Sequence, residues 1–103
     1  MRIDVIGRHG LVVTEPIRAC AVEKSDRLLA HFSGVTAVEF CLEVEDAHGS
    51  KDFCVEMVVS ADRHEDFVSR SCGDDLYLAI DAAAKKVDRQ IRDYKDRLSQ
   101  HRS

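Results

Sequence analysis

His, Cys, the carboxylates and the cations are the residue types that could do chemistry, and their spacing in this 103-residue chain decides which of them do. The five histidines, His9, His31, His48, His64 and His101, stand apart among polar neighbours and read as surface or helix-end side chains. The four cysteines, Cys20, Cys41, Cys54 and Cys72, form no Cys-x-x-Cys pair and have no clustered His. Neither zinc nor redox spacing is met, so they read as free, small, apolar-like residues with no metal site. Glu43 and Glu45 are paired carboxylates, but at strand spacing on an exposed face they are ordinary solvated charges. There is no Gly-rich phosphate loop, no Gly-x-Ser-x-Gly elbow and no His-Glu-x-x-His. The expectation is a protein that is not an enzyme, with no cofactor and no small-molecule substrate.

The cations are more informative. From Lys85 to the end, seven basic residues (Lys85, Lys86, Arg89, Arg92, Lys95, Arg97, Arg102) face three acidic ones (Asp88, Asp93, Asp96). The rest of the chain carries eight basic and sixteen acidic residues, and the net charge is -4. Such a gradient marks a polar recognition face or a solvated helix laced with ion pairs. Tyr77, Ile80, Ala84, Val87, Ile91, Tyr94 and Leu98 step by three and four, which predicts one long helix with a continuous apolar seam. At about 100° per residue, Lys86, Arg89 and Arg97 fall opposite that seam, and Arg92 borders the arc. Cations on a rigid helix can line up with phosphates, and each neutralised phosphate releases counterions, so an acidic protein can still bind nucleic acid through them.

Other elements must hold this helix. Ile3 and Val5 alternate with charged neighbours and stop at Gly7, a short first strand. Thr14-Glu15-Pro16 starts a helix running to about Phe32, with Ile17, Cys20, Ala21, Leu28 and Phe32 at helical spacing and Thr14 as a hydroxyl cap. Val38, Phe40, Leu42 and Val44, then Phe53, Val55, Met57 and Val59, keep a period of two on either side of a polar turn, predicting an antiparallel hairpin. Its outward face carries Glu39, Glu43, Glu45, Asp52 and Glu56, and Cys41 could neighbour Cys54 there. A further strand is expected near Asp66 to Cys72, and Gly73-Asp74-Asp75 opens the last helix with acids that suit its dipole. The expected fold is α+β, βαβββα, a four-stranded sheet with both helices on one face.

Length fits one domain spanning residues 1–103, and 45% hydrophobic residues can fill its core. With one Pro, five Gly and no repeat period, disorder and collagen are excluded. No stretch approaches about 18 uncharged apolar residues, and Arg2 and Asp4 interrupt any signal peptide, so a cytoplasmic protein with no membrane partner is expected.

The segment Asp75-Leu76-Tyr77-Leu78-Ala79-Ile80-Asp81, followed by Lys86, Arg89-Gln90-Ile91 and Tyr94-Lys95-Asp96-Arg97-Leu98, resembles the signature helix of the ribosome hibernation promoting factor family, also called ribosome-associated inhibitor A or factor Y. Ile3 to His9 with Thr14 resembles that family's first strand and loop. Ile17-Arg18 through Glu23-Lys24 and Arg27-Leu28 to His31-Phe32 resembles its first helix. The chain departs from the pattern at Cys20 and Ser25, where larger apolar residues are usual, and in a loop after Arg8 that is one residue longer. It also departs at Asp93 and Ser99, where basic residues are common.

The resemblance implies a short-form factor without a C-terminal dimerisation domain, monomeric off the ribosome. It implies binding to rRNA of the small ribosomal subunit near the decoding centre, occluding mRNA and tRNA sites. Carried over by position, the implied rRNA contacts are Arg8, Lys24, Arg27, Lys86, Arg89, Lys95 and Arg97; Arg92 is added from helix geometry alone. Each could instead be an ion-pair member, such as Lys95 or Arg92 beside Asp88. Two other readings stand: a protein-interaction module using the acidic sheet face, and a double-stranded RNA-binding domain. The second sits poorly with Asp74 and Asp75 at the helix start, where that family is basic. An RNA-recognition-motif mode would need aromatic residues on the outer sheet face, and none is expected there.

Overall fold

The computed structural model describes residues 1–47 and 49–100, so His48, His101 and Arg102 lie outside the described residues. The elements run β1 (Arg2–Gly7), α1 (Glu15–Leu29), β2 (Val35–Ala47), β3 (Ser50–Ala61), β4 (His64–Gly73) and α2 (Leu76–Gln100), in the expected order. The sheet is ordered β1-β2-β3-β4. β1 and β2 pair in parallel because α1 crosses between them, whereas the short connections after β2 and β3 make those pairs antiparallel.

The period of two does what it predicts. Val38, Phe40 and Leu42 face Val59, Met57 and Val55 across the β2–β3 ladder, and all six are fully buried. Ile17, Ala21 and Leu28 of α1 and Leu76, Ala79, Ile80, Ala83, Val87 and Ile91 of α2 join them in one cluster, which puts both helices on the same face. Each large side chain so buried contributes about 1.5–3 kcal/mol of transfer free energy.

Several expectations need correction. α1 ends at Leu29 because the chain turns at Ala30, and Phe32 leaves the helix to pack edge-on against Phe67 and Tyr94. Thr14 occupies the cap position but its hydroxyl makes no capping bond; its carbonyl accepts from the Arg18 N–H at 3.0 Å. At α2 the cap is made, by Asp75, whose Oδ1 accepts from the N–H of Tyr77 (2.9 Å) and Leu78 (3.2 Å). β4 begins at His64, and that ring is half-buried and stacked on Phe67 at 4.3 Å, not a plain surface histidine.

The α2 seam is also turned. Leu76, Ala79 and Ala83 are buried, while Tyr77 and Leu98 are exposed. Tyr77 lies at the rim of the stripe, and Leu98 sits beyond Ile91, the last fully covered position of a helix about 37 Å long at 1.5 Å per residue. Ser25, smaller than the usual residue, is fully buried with its hydroxyl donating to the Ala21 carbonyl at 2.9 Å, so no polar atom is stranded.

The cysteines differ most. The β3–β4 register sets Cys54 opposite Cys72, and the two form a disulfide; Cys20 and Cys41 are free. Cys41 pairs with Glu56, not with Cys54, because the hairpin register places Glu43 opposite Cys54.

Candidate nucleic-acid interface

Where α1 and α2 pack side by side, a groove of about 180 Å³ is lined by Lys24, Arg27, His31, Lys85 and Arg92 together with Asp81 and Asp88. Lys24 of α1 reaches across to Asp81 of α2 at 3.0 Å, and Lys85, one helical turn on, meets the other carboxylate oxygen at 3.0 Å. Hydrogen bonds from Lys24 and then Lys85 hold the Asp81 carboxyl below the ordinary Asp range. Arg92 pairs with Asp88 and Arg27 with Glu23, each at 3.0 Å and each four residues apart. Exposed pairs of this kind are worth about 0–1 kcal/mol, so such a cation exchanges a carboxylate for a phosphate at little cost.

Along the outward face of α2 the cations divide. Arg89 and Arg97 are exposed and, among the described residues, make no side-chain hydrogen bond or ion pair. Lys86 donates to the Arg70 carbonyl at 2.7 Å, beside Gln90, which donates to the Val68 carbonyl at 2.8 Å. β4 is an edge strand, so its outer carbonyls lack a ladder partner, and these two side chains supply one. Lys95 donates to the His31 carbonyl at 2.8 Å, past the end of α1, and not to Asp88. Lys86 and Lys95 therefore fasten α2 to its neighbours while staying exposed.

Arg8 stands elsewhere. Its N–H extends the β1–β2 ladder to the Leu42 carbonyl at 2.8 Å, and the chain then turns through His9 (φ 55°) and Gly10 (φ 82°). Gly7 allows the loop to fold back: a Cβ there would lie 2.1 Å from the Leu11 carbonyl oxygen. The Arg8 guanidinium acts on Cys41, whose thiol is pushed up by burial and by its hydrogen bond to Glu39 and pulled down by Arg8. Of the eight residues expected to contact rRNA, Lys24, Arg27 and Arg92 gather at the groove. Lys86, Arg89, Lys95 and Arg97 lie along α2, and Arg8 is on the other side of the sheet.

Sequence reasoning passed over Lys85 and His31. The Asp81–Lys85 spacing of four was a readable signal for the first, and nothing local marked the second. The outer sheet face is acidic, but Arg70 bonds both Glu43 (3.3 Å) and Glu45 across β3, and His9 approaches Glu43 at 3.7 Å. Those carboxylates raise the Arg70 pKa further, keeping it charged. Phe40, Phe53 and Phe67 point into the core, so they offer no stacking platform.

This arrangement of sheet and helices has known counterparts. Residues 3–99 match the family described as Sigma 54 modulation protein / S30EA ribosomal protein. The chain belongs to this family. It is 32% identical over 101 residues to the ribosome hibernation promoting factor of Pseudomonas putida, covering 94% of this chain and 89% of that protein. The Escherichia coli protein of the same name is 29% identical over 101 residues, covering 98% and 100%. The Protein Y N-terminal domain of Thermus thermophilus superposes with a TM-score of 0.74 at 26% identity, covering 91% of this chain and 99% of that one. A ribosomal subunit interface protein from Coxiella burnetii shares the fold, with a TM-score of 0.81 at 18% identity over 93% and 99% of the two chains. The family consists of ribosome hibernation factors, which are not enzymes, and this chain is a non-enzymatic member. No described helix is long and apolar enough to cross a membrane.

Proposed function

We propose that this S30EA-family chain associates with ribosomes and inhibits translation, binding rRNA of the small subunit near the decoding centre and occluding mRNA and tRNA sites. Membership in a family of hibernation factors supports ribosome association, and the cytoplasm, where ribosomes work, is its place of action. Residues 1–103 act as one unit, monomeric before binding. The finer statement rests on one observation: the α1–α2 groove gathers Lys24, Arg27, Lys85 and Arg92, and the exposed Arg89 and Arg97 of α2 hold no partner among the described residues.

Arg89 and Arg97 contact phosphates directly. Lys24, Arg27 and Arg92 do so by exchanging Asp81, Glu23 and Asp88 for phosphate, and Lys86 and Lys95 contribute charge from anchored positions. Arg8, on the far side of the sheet, is a peripheral contact. The acidic-face alternative has less to recommend it, because family membership points to the ribosome as partner. Sucrose-gradient sedimentation with separated subunits tests the proposal. The chain should travel with the small subunit and be displaced by bound mRNA and tRNA; sedimentation at the top of the gradient, or with the large subunit alone, would contradict it.

A further inference from the structure

On the sheet face away from the helices, strand register assembles a donor set that cysteine spacing in the sequence does not announce. Cys54 and Cys72 face each other across β3 and β4 with Cα atoms 4.1 Å apart. Glu45, on β2, brings a carboxylate oxygen so that the two sulfurs and this oxygen all lie within 4.8 Å of one another. Cys54 is buried, whereas Cys72 and Glu45 are exposed, so an ion has an open approach from one side. Two thiolates and a carboxylate are the donors that a soft or borderline divalent cation selects over Mg²⁺ or Ca²⁺.

The disulfide is the oxidised form of this pair. In a reducing compartment a small dithiol exchanges with it: the dithiol becomes a disulfide, and its two electrons and two protons pass to the two cysteine sulfurs as thiols. We propose that the reduced pair is a binding site for a thiophilic divalent cation such as Zn²⁺. Cys54 and Cys72 bind as thiolates, Glu45 is the third ligand and water the fourth. On binding, the two thiols release two protons to solvent and the metal accepts three electron pairs from the protein. Arg70, which bonds both Glu43 and Glu45, gives up Glu45 and keeps Glu43 as its counter-charge. Oxidation to the disulfide withdraws both sulfurs and abolishes the site, so occupancy reports the thiol state.

The test uses the full chain, reduced with a phosphine, which becomes the phosphine oxide by taking oxygen from one water as the disulfide opens to two thiols. After removal of reductant and chelator without oxygen, Zn²⁺ is titrated against a chromophoric competitor, and Co²⁺ is used for its thiolate charge-transfer band. One ion per reduced chain, a charge-transfer band of two-thiolate strength, and none of either in the oxidised chain are expected. Cys72→Ser replaces an exposed residue and should keep the fold by circular dichroism while weakening Zn²⁺ binding by at least about 10- to 100-fold. Glu45→Gln should weaken it about 10-fold, and Cys20→Ser and Cys41→Ser not at all. Equal binding by the oxidised chain, undiminished binding by folded Cys72→Ser, or loss in Cys20→Ser or Cys41→Ser would overturn the assignment. Ribosome association is not part of the readout, so this proposal and the ribosomal one fail separately.

Discussion

Across the outer face of the sheet, strand alternation lines up Glu39, Glu43 and Glu45 on β2 beside Asp52 and Glu56 on β3, with Arg70 bridging Glu43 and Glu45. Across the helical face, acids and cations interleave, so that Lys24, Lys85, Arg92 and Arg27 each hold a carboxylate, Lys86 and Lys95 hold backbone carbonyls, and Arg89 and Arg97 hold neither among the described residues. One face is a block of like charge with a strap over it, and the other is a lattice of weak pairs with loose cations at its margin. In the proposed complex it is the second that meets a polyanion. Net charge, which averages the two faces, describes neither.

Reversing the loose cations should have the largest effect. Arg89→Glu with Arg97→Glu sets like charge against phosphate, and ribosome affinity measured by co-sedimentation should fall by about 100-fold or more. Asp93, exposed on the same side of α2, works in the opposite sense. Asp93→Lys should strengthen binding several-fold and steepen its salt dependence by about one unit.

A smaller effect is expected at Asp81, whose folded pKa is lowered by Lys24 and Lys85. Its stabilisation is complete above the unfolded carboxylate value of about 3.9 and is lost as pH falls through the lower folded value. Asp81→Asn should therefore cost about 0.2–1 kcal/mol in denaturant unfolding at pH 7, and the difference from the parent should shrink toward pH 3. Least affected should be a double reversal on the other face, Glu39→Lys with Glu56→Lys. On the sheet face away from α2, near the peripheral contact Arg8 alone, it should leave ribosome affinity within about twofold. A large gain or loss there would mean that the sheet face takes part.

Local patterning made the element order and the hairpin core legible, because burial on one face imposes the period of two seen at Val38 to Val44 and Phe53 to Val59. What stayed hidden depended on how separate elements dock. The Cys54–Cys72 pair follows from the register of β4, which a polar strand such as His64–Gly73 does not fix by its own pattern. Lys95 on the His31 carbonyl spans 64 residues, and Lys86 on the Arg70 carbonyl requires knowing that β4 is an edge. The cations themselves could be read from the chain, but not their division into anchored, paired and loose.

The ribosomal account turns on whether those loose arginines exchange counterions for phosphate. Affinity for small subunits, measured across a salt series for the parent and for Arg89→Ala with Arg97→Ala, tests this most directly. Two lost phosphate contacts should make the slope of log affinity against log salt shallower by about two. Parallel slopes, with affinity unchanged, would contradict it.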